Sequence, residues 1–248
     1  MADINDHLVL IGGESASGKS VSLQNIENPE GVLYLNCESG KRLPFKAQFE
    51  QHVITDPLQV FEAFDYAEGS SGNHVHTIVI DSLTYLLDMY ESVHVLPSSN
   101  TMKAWGEFSQ YFKVLMQKYV AASSKTVIFS AHTLSIYNEG NMAMETKIPV
   151  KGALKNNGIE SYFSVVLATK KVPITALENF DNGLLTITED ERNLGFKYVY
   201  QTRLTKETVN ERIRGPIGLF ESNETYIDND IQLVMNRLDE YYGVGVAA

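Results

Sequence analysis

Only one cysteine, Cys37, stands among the 248 residues, so an internal disulfide framework is excluded and a reducing compartment is expected. No apolar stretch approaches the ~20 residues that a membrane-spanning helix needs. The N-terminus has no basic segment followed by a long apolar run, so no secretory signal is visible. A basic excess is missing as well. Lys and Arg number 20 against 31 Asp and Glu, a formal net charge of −11. That argues against a surface coated in positive charge for tight non-specific DNA binding, and it confines any nucleic-acid contact to particular loops. Neither an internal repeat nor a low-complexity segment is present.

What remains is ordinary for a globular protein, with 44% hydrophobic and 21% charged residues, in a length that suits one large α/β domain with a full core. The informative stretch is short. Gly13, Glu14, Ser15, Ala16, Ser17, Gly18, Lys19 and Ser20 match the phosphate-binding pattern G-x-x-x-x-G-K-[ST]. Glycines let such a loop turn its backbone N–H groups toward a polyphosphate, and a following helix adds its positive end. The residues Gly13 to Val21 are therefore the candidate ATP-binding set. Lys19 can reach the β- and γ-phosphates, and the Ser20 hydroxyl can ligate Mg²⁺. As an exposed loop lysine, Lys19 is expected to add little to the core.

The context fits. Leu8-Val9-Leu10-Ile11 reads as a buried parallel strand, and Val21, Leu23 and Ile26 supply a short helix ended by Asn28-Pro29. Further strands are predicted at 32–36, 77–81 and 125–130, with a helix whose face is Trp105, Phe108, Phe112, Leu115, Met116 and Tyr119. Strands alternating with helices imply a parallel sheet covered on both faces. Residues 92–101 read as a surface loop and 133–158 as a longer irregular one, marked by Gly140, Asn141, Pro149, Gly152 and Asn156-Asn157-Gly158. Beyond residue 160, strands are predicted at 162–167, 184–187 and 196–200, with a turn at Asp181-Asn182-Gly183 and an amphipathic helix from Ile231 to Tyr242.

Three single positions and one row of lysines invite chemistry. Asp81 ends an apolar strand; it suits a Mg²⁺ held mostly through water, against the competing role of helix N-cap near Leu83. Glu38 follows the strand at 32–36 at the edge where sheet ligands collect; it can activate water, or be a solvated loop glutamate. His132 follows the strand at 125–130 and can touch the γ-phosphate and move the loop behind it, or be a structural histidine. Lys147, Lys151 and Lys155 recur every four residues. If that segment turns helical they share one face, which makes either a phosphate-tracking row for DNA or a solvated charged face.

These residues, in this order, resemble the RecA-like recombinase ATPases over about residues 5–220. The resemblance implies a single RecA-like P-loop NTPase domain over 1–248, α/β, with a mainly parallel sheet flanked by helices and antiparallel strands in the C-terminal third. It implies Glu38 as the catalytic glutamate, Lys19 and His132 as further catalytic groups, and Ser20 and Asp81 as the Mg²⁺ site. His132 sits at the polar γ-phosphate sensor position, where bacterial members carry glutamine; in this it is more similar to archaeal and phage members. Residues 92–104 and 133–158 correspond to the two DNA-binding loops. The family completes its site with basic residues from a neighbour, and Arg203 and Lys206 follow a strand where such residues are expected. The endings Arg212-Ile213-Arg214-Gly215-Pro216 and Tyr226-Ile227-Asp228-Asn229 are similar to the phage single-strand annealing (Sak-type) RecA-like ATPases. A separate N-terminal oligomerisation helix domain and a C-terminal DNA-gating domain are not seen. The implied partners are single-stranded DNA, further copies of the chain in a filament or ring, and a single-strand-binding protein. No membrane is implied, and the implied location is the cytoplasm, that of a host if the chain is phage-encoded.

Overall fold

Five apolar runs of the sequence become neighbours in one eight-stranded sheet. A computed structural model describes residues 4–140, 142–156 and 158–243. In chain order the strands are β1 (Leu8–Gly13), β2 (Val32–Asn36), β3 (Glu50–Val53), β4 (Thr77–Asp81), β5 (Thr126–His132), β6 (Leu134–Asn138), β7 (Ala143–Lys147), β8 (Val165–Pro173), β9 (Phe196–Gln201) and β10 (Tyr226–Asp228). The helices are α1 (Gln59–Glu68), α2 (Leu83–Tyr90), α3 (Thr101–Val114), α4 (Ile174–Leu177), α5 (Glu189–Leu194) and α6 (Ile231–Tyr242). The sheet order is β10-β9-β8-β1-β5-β4-β2-β3. The six strands from β8 to β3 run parallel, while β9 and β10 are added by antiparallel ladders. This is the mixed α/β architecture expected, with its antiparallel part at the C-terminal end.

Side-chain alternation along the strands builds two cores. Leu8, Leu10, Leu33, Leu35, Ile78, Ile80, Val127 and Phe129 point to one face, where α1, α2 and α3 cover them with Phe64, Leu86 and Phe112. Val9, Ile11, Val32, Tyr34, Val79 and Ile128 point to the other, covered by Leu23, Ile26 and the α6 residues Ile231, Val234 and Leu238. Strands buried on both faces need continuous apolar sequence, and β1, β2 and β4 are buried at every position. Cys37 is buried beside them, and burial pushes its thiol well above the ordinary value.

Several expectations need correction. The short helix after the phosphate loop is a single 3-10 turn, Val21–Leu23. Asn28 at a left-handed φ of 48° and Pro29 end the segment before an α-helix can grow. The strand predicted at 184–187 does not form. Asp228 N donates to Leu184 O at 2.8 Å and Asp228 Oδ1 accepts from Thr186 N at 3.1 Å, but β10 holds the ladder against β9. Residues 162–167 begin instead as a 3-10 turn, Glu160–Tyr162, and the strand runs Val165–Pro173.

The two long loops are also more ordered than expected. Glu91–Val95 continues α2 as a wider π-helical turn, and Asn100 caps α3 by accepting from Lys103 N at 3.0 Å. Within 133–158, β6 and β7 pair as an antiparallel hairpin, and Gly152–Lys155 forms a 3-10 turn. Asn141 and Asn157, which helped mark that stretch as irregular, lie outside the described residues. Both β3 and α1 went unpredicted. β3 reads Glu-Gln-His-Val and is mostly exposed, so no apolar pattern marks it. α1 does carry helical spacing in Val60, Phe64 and Ala67.

Candidate active site

Parallel pairing puts the ends of four strands level. Gly13 lies opposite His132, and Asn36 opposite Asp81. β5 stands between β1 and β4. The polar residues that follow β1, β2, β4 and β5 therefore meet at the carboxyl edge of the sheet, where ligands of open α/β sheets bind.

The phosphate loop leaves β1 at Gly13, where any Cβ would fall 2.1 Å from Thr169 Oγ1 and 2.4 Å from Ser17 Oγ. Only glycine lets Ser17 and Thr169 approach each other at 2.5 Å and brace the loop on β8. Gly18 takes a φ of 103° that disfavours side chains. Asn229, just past β10, donates from Nδ2 to Gly18 O at 2.9 Å. The far end of the chain thus supports the loop, which sequence order did not reveal.

Lys19 is not exposed. Only 7% of it is accessible, and Nζ folds back to donate to Gly13 O at 2.9 Å and Glu14 O at 2.8 Å. Burial pulls its ammonium down to about 8, opposed by the nearby carboxylates of Asp81 and Glu38.

Asp81 is buried and surrounded by hydroxyls. Ser20 Oγ donates to Oδ2 at 2.9 Å, Tyr34 OH donates to the same oxygen at 2.6 Å, and Ser130 Oγ donates to Oδ1. Burial, then the Asp81 charge, pushes the Tyr34 phenol far above its ordinary value, so it stays a donor. Tyr34 and Ser130 were not singled out from the sequence. Each is the one hydroxyl inside an apolar strand core, and that was the available signal. Ser20 and Asp81 offer a hydroxyl and a carboxylate, both hard oxygen donors that suit Mg²⁺ completed by phosphate and water oxygens. Among the described residues no group of three or more His, Cys, Asp or Glu side chains could hold a metal.

Glu38 is not a solvated loop glutamate. Its side chain is 10% exposed, with His132 Nε2 at 3.3 Å from Oε1 and Lys41 Nζ donating to Oε2 at 2.8 Å. The hydrogen bond from His132, then that from Lys41, holds its carboxyl down at about 2 despite burial. His132 also places Nδ1 at 3.5 Å from Lys19 Nζ. A lysine only donates and a carboxylate only accepts, so both contacts are served by a neutral imidazole with the proton on Nε2. The backbone N of His132 donates to Thr84 Oγ1 at 2.9 Å. Lys19, His132, Glu38 and Lys41 thus form a row across β1, β5 and β2. They line a cavity of about 220 Å³ with Arg42, Ser20 and Asp81. Lys41, Arg42 and Thr84 were missed because nothing in their sequence spacing marks them.

The remaining predicted residues lie elsewhere. Lys147 ends β7, Lys151 sits in extended chain and pairs with Glu91, and Lys155 is in the 3-10 turn. They share no helical face, because the segment is hairpin and turn instead of helix. Lys147 lies 3.9 Å from Glu145 Oε2 and lines a second cavity, about 390 Å³, beside Lys170, Lys171 and Arg212. Arg203 and Lys206 do not line the phosphate cavity. β9 runs antiparallel and leaves the sheet opposite Ala168, and Arg203 Nη1 then donates to Phe220 O at 2.8 Å.

A family model described as an AAA domain, AAA_24, matches residues 6–203. That span runs from just before β1 through β9 and leaves out, of the residues named above in and around the site, only Lys206, Arg212, Phe220 and Asn229. No curated protein matches the chain.

Proposed function

The chain belongs to this AAA-domain family and carries a P-loop ATPase domain; from that premise we propose a Mg²⁺-dependent, RecA-like ATPase that assembles on single-stranded DNA and promotes annealing or recombination. In this reading it is one RecA-like unit, most similar to the phage single-strand annealing type. The observation that carries the reading is the position of His132. It touches Lys19 on one side and Glu38 on the other, and the β6–β7 hairpin starts two residues later. A change in phosphate occupancy is thereby coupled to a projecting surface element.

The chemistry follows from the residues present. Lys19 and the loop amides hold the phosphates, and Ser20 and Asp81 would hold Mg²⁺, which neutralises charge on the β- and γ-phosphates. Glu38 takes a proton from water as the water oxygen bonds to the γ-phosphorus. The bond to the β-bridging oxygen breaks, and ADP leaves with its electron pair. The basic Arg203 and Lys206 serve a neighbouring subunit's site in this scheme; neither lines the cavity of its own chain. The DNA contacts run through the hairpin and the lysines around it, which an acidic chain needs to keep local.

The decisive test measures ATP hydrolysis with and without single-stranded DNA, using Lys19→Ala to subtract background. Single-stranded DNA should raise turnover, and strand annealing should depend on ATP. Duplex unwinding by a closed ring would replace this reading with a helicase. No response to DNA would remove the DNA partner and leave the ATPase.

A further inference from the structure

The turn after β2 carries a cation to which the ATPase scheme gives no task. Asn36 ends β2, and its side chain staples the next five residues. Glu38 N donates to Asn36 Oδ1 at 3.0 Å, Asn36 Nδ2 donates to Lys41 O at 2.8 Å, and Lys41 N donates to Glu38 O at 3.1 Å. Ser39 and Gly40 take left-handed φ values of 55° and 75° to close the turn. This is a built turn, and it delivers Lys41 Nζ to Glu38 Oε2 at 2.8 Å. Yet the Lys41 side chain stays 68% exposed, and it lines the same cavity as Lys19, Ser20 and Asp81.

We propose that Lys41 is a positioning residue that exchanges partners: it holds Glu38 when the terminal phosphate is absent and moves onto that phosphate when ATP enters. The exchange rests on the ATPase reading above and deepens it. The Lys41 end of the pair is exposed and Glu38 keeps its His132 partner, so withdrawing the lysine costs less than breaking a fully buried pair. A terminal phosphate carries more negative charge and more acceptor oxygens than one carboxylate, and lysine meets it as a flexible point charge. Departure of Lys41 frees Oε2 of Glu38 for the attacking water. A carboxylate held by two donors is a weak base, and losing one donor raises its basicity. ADP has no γ-phosphate and leaves Lys41 on Glu38. The turn therefore distinguishes ATP from ADP within a single subunit.

Calorimetric titration of Mg²⁺-ADP and of a non-hydrolysable Mg²⁺-ATP analogue tests this, with wild type, Lys41→Met, Lys41→Arg and Lys19→Ala. Lys41→Met should bind the analogue about tenfold more weakly while ADP affinity changes by less than about twofold. Lys41→Arg should keep most of the wild-type preference, since arginine also pairs with phosphate. If Lys41→Met binds the analogue as wild type does, or loses both ligands alike, the exchange is overturned. Lys19→Ala separates the two levels of the argument. Should it bind both ligands like wild type, the phosphate-loop assignment itself falls. Should it lose both while Lys41→Met changes neither, only the role of Lys41 falls. Thermal unfolding of Lys41→Met should match wild type within a degree or two, because the side chain is exposed.

Discussion

On one side of Thr133 the polar groups face each other; on the other side apolar groups face solvent. Lys19, Ser20, Glu38, Asp81 and His132 each contact another member of the set or the backbone around it. The β6–β7 hairpin, one residue further on, leaves Leu134, Tyr137 and Met144 half exposed. The first region is finished in its contacts, each polar side chain having a partner from this chain. The second leaves its apolar side chains open to solvent, which is why the DNA contacts are proposed there. Thr133 N donates to Gly13 O at 3.1 Å, so the chain entering the hairpin is tied to the start of the phosphate loop.

The largest effect should come from breaking the finished region at its centre. Lys19→Ala removes the phosphate-reaching cation, and hydrolysis should fall by about 10³-fold or more. Because Lys19 is buried on two loop carbonyls, the fold should also lose about 1–3 kcal/mol, seen as a thermal midpoint several degrees lower. Wild-type turnover in the folded variant would remove the phosphate-loop assignment.

In the nucleotide cycle, Glu38→Gln should act on the chemical step and spare binding. The amide keeps the shape but cannot accept the water proton, so turnover should drop about 10²-fold or more while Mg²⁺-ATP still binds. The variant should then stay on single-stranded DNA in the presence of ATP, as followed by fluorescence anisotropy. Loss of ATP binding would instead make Glu38 a structural or metal-binding group.

The hairpin side should respond in the opposite sense, with DNA affinity changed and nucleotide affinity unchanged. Tyr137→Ala removes an exposed ring able to stack on a base, a loss of about 1–3 kcal/mol if one base is involved. Replacing Lys147, Lys151 and Lys155 by alanine should cost less. Lys151 is already paired with Glu91, so fewer than three phosphates are expected to lose a partner, and the salt slope should flatten by less than about three. The loss should be alike for all sequences, since phosphate contacts carry no base information. A triple variant binding as tightly as wild type across a salt titration would clear this segment of a DNA role.

The contrast also explains what the sequence could and could not disclose. β1, β2, β4 and β5 were legible because buried parallel strands demand unbroken apolar runs, and Asp81, Glu38 and His132 stand where those runs end. The residues that hold the site together were harder to see. Tyr34 and Ser130 act through a register between strands remote in sequence, Asn229 through a chain end that returns 211 positions later. Lys41 acts through a turn whose geometry depends on the Asn36 side chain. The hairpin at 134–147 was hidden for another reason. Its exposed strands carry apolar and polar residues without a buried face, so period-two patterning had nothing to report. The strand expected at 184–187 failed because local β-propensity does not decide which segment takes a sheet edge.

The smallest effect is an acid-side one, and it tests how firmly the finished region is finished. Hydrogen bonds from His132 and then Lys41 hold the Glu38 carboxyl at about 2, below its ordinary 4.5. A carboxyl depressed in the folded state adds stability that is fully present above the unfolded value near 4.5 and is lost as pH falls toward about 2. A depression of this size corresponds to at most roughly 3 kcal/mol, and the exposed Lys41 partner argues for less. Denaturant unfolding of wild type and Glu38→Gln should therefore differ most near neutrality, and the gap should close as pH drops below about 4.5. Lys41→Met should close part of that gap at neutral pH and leave less to be lost in acid. A wild-type advantage that stays constant from pH 7 to 3 would mean that the Glu38 charge is not what the row of Lys19, His132 and Lys41 is built around.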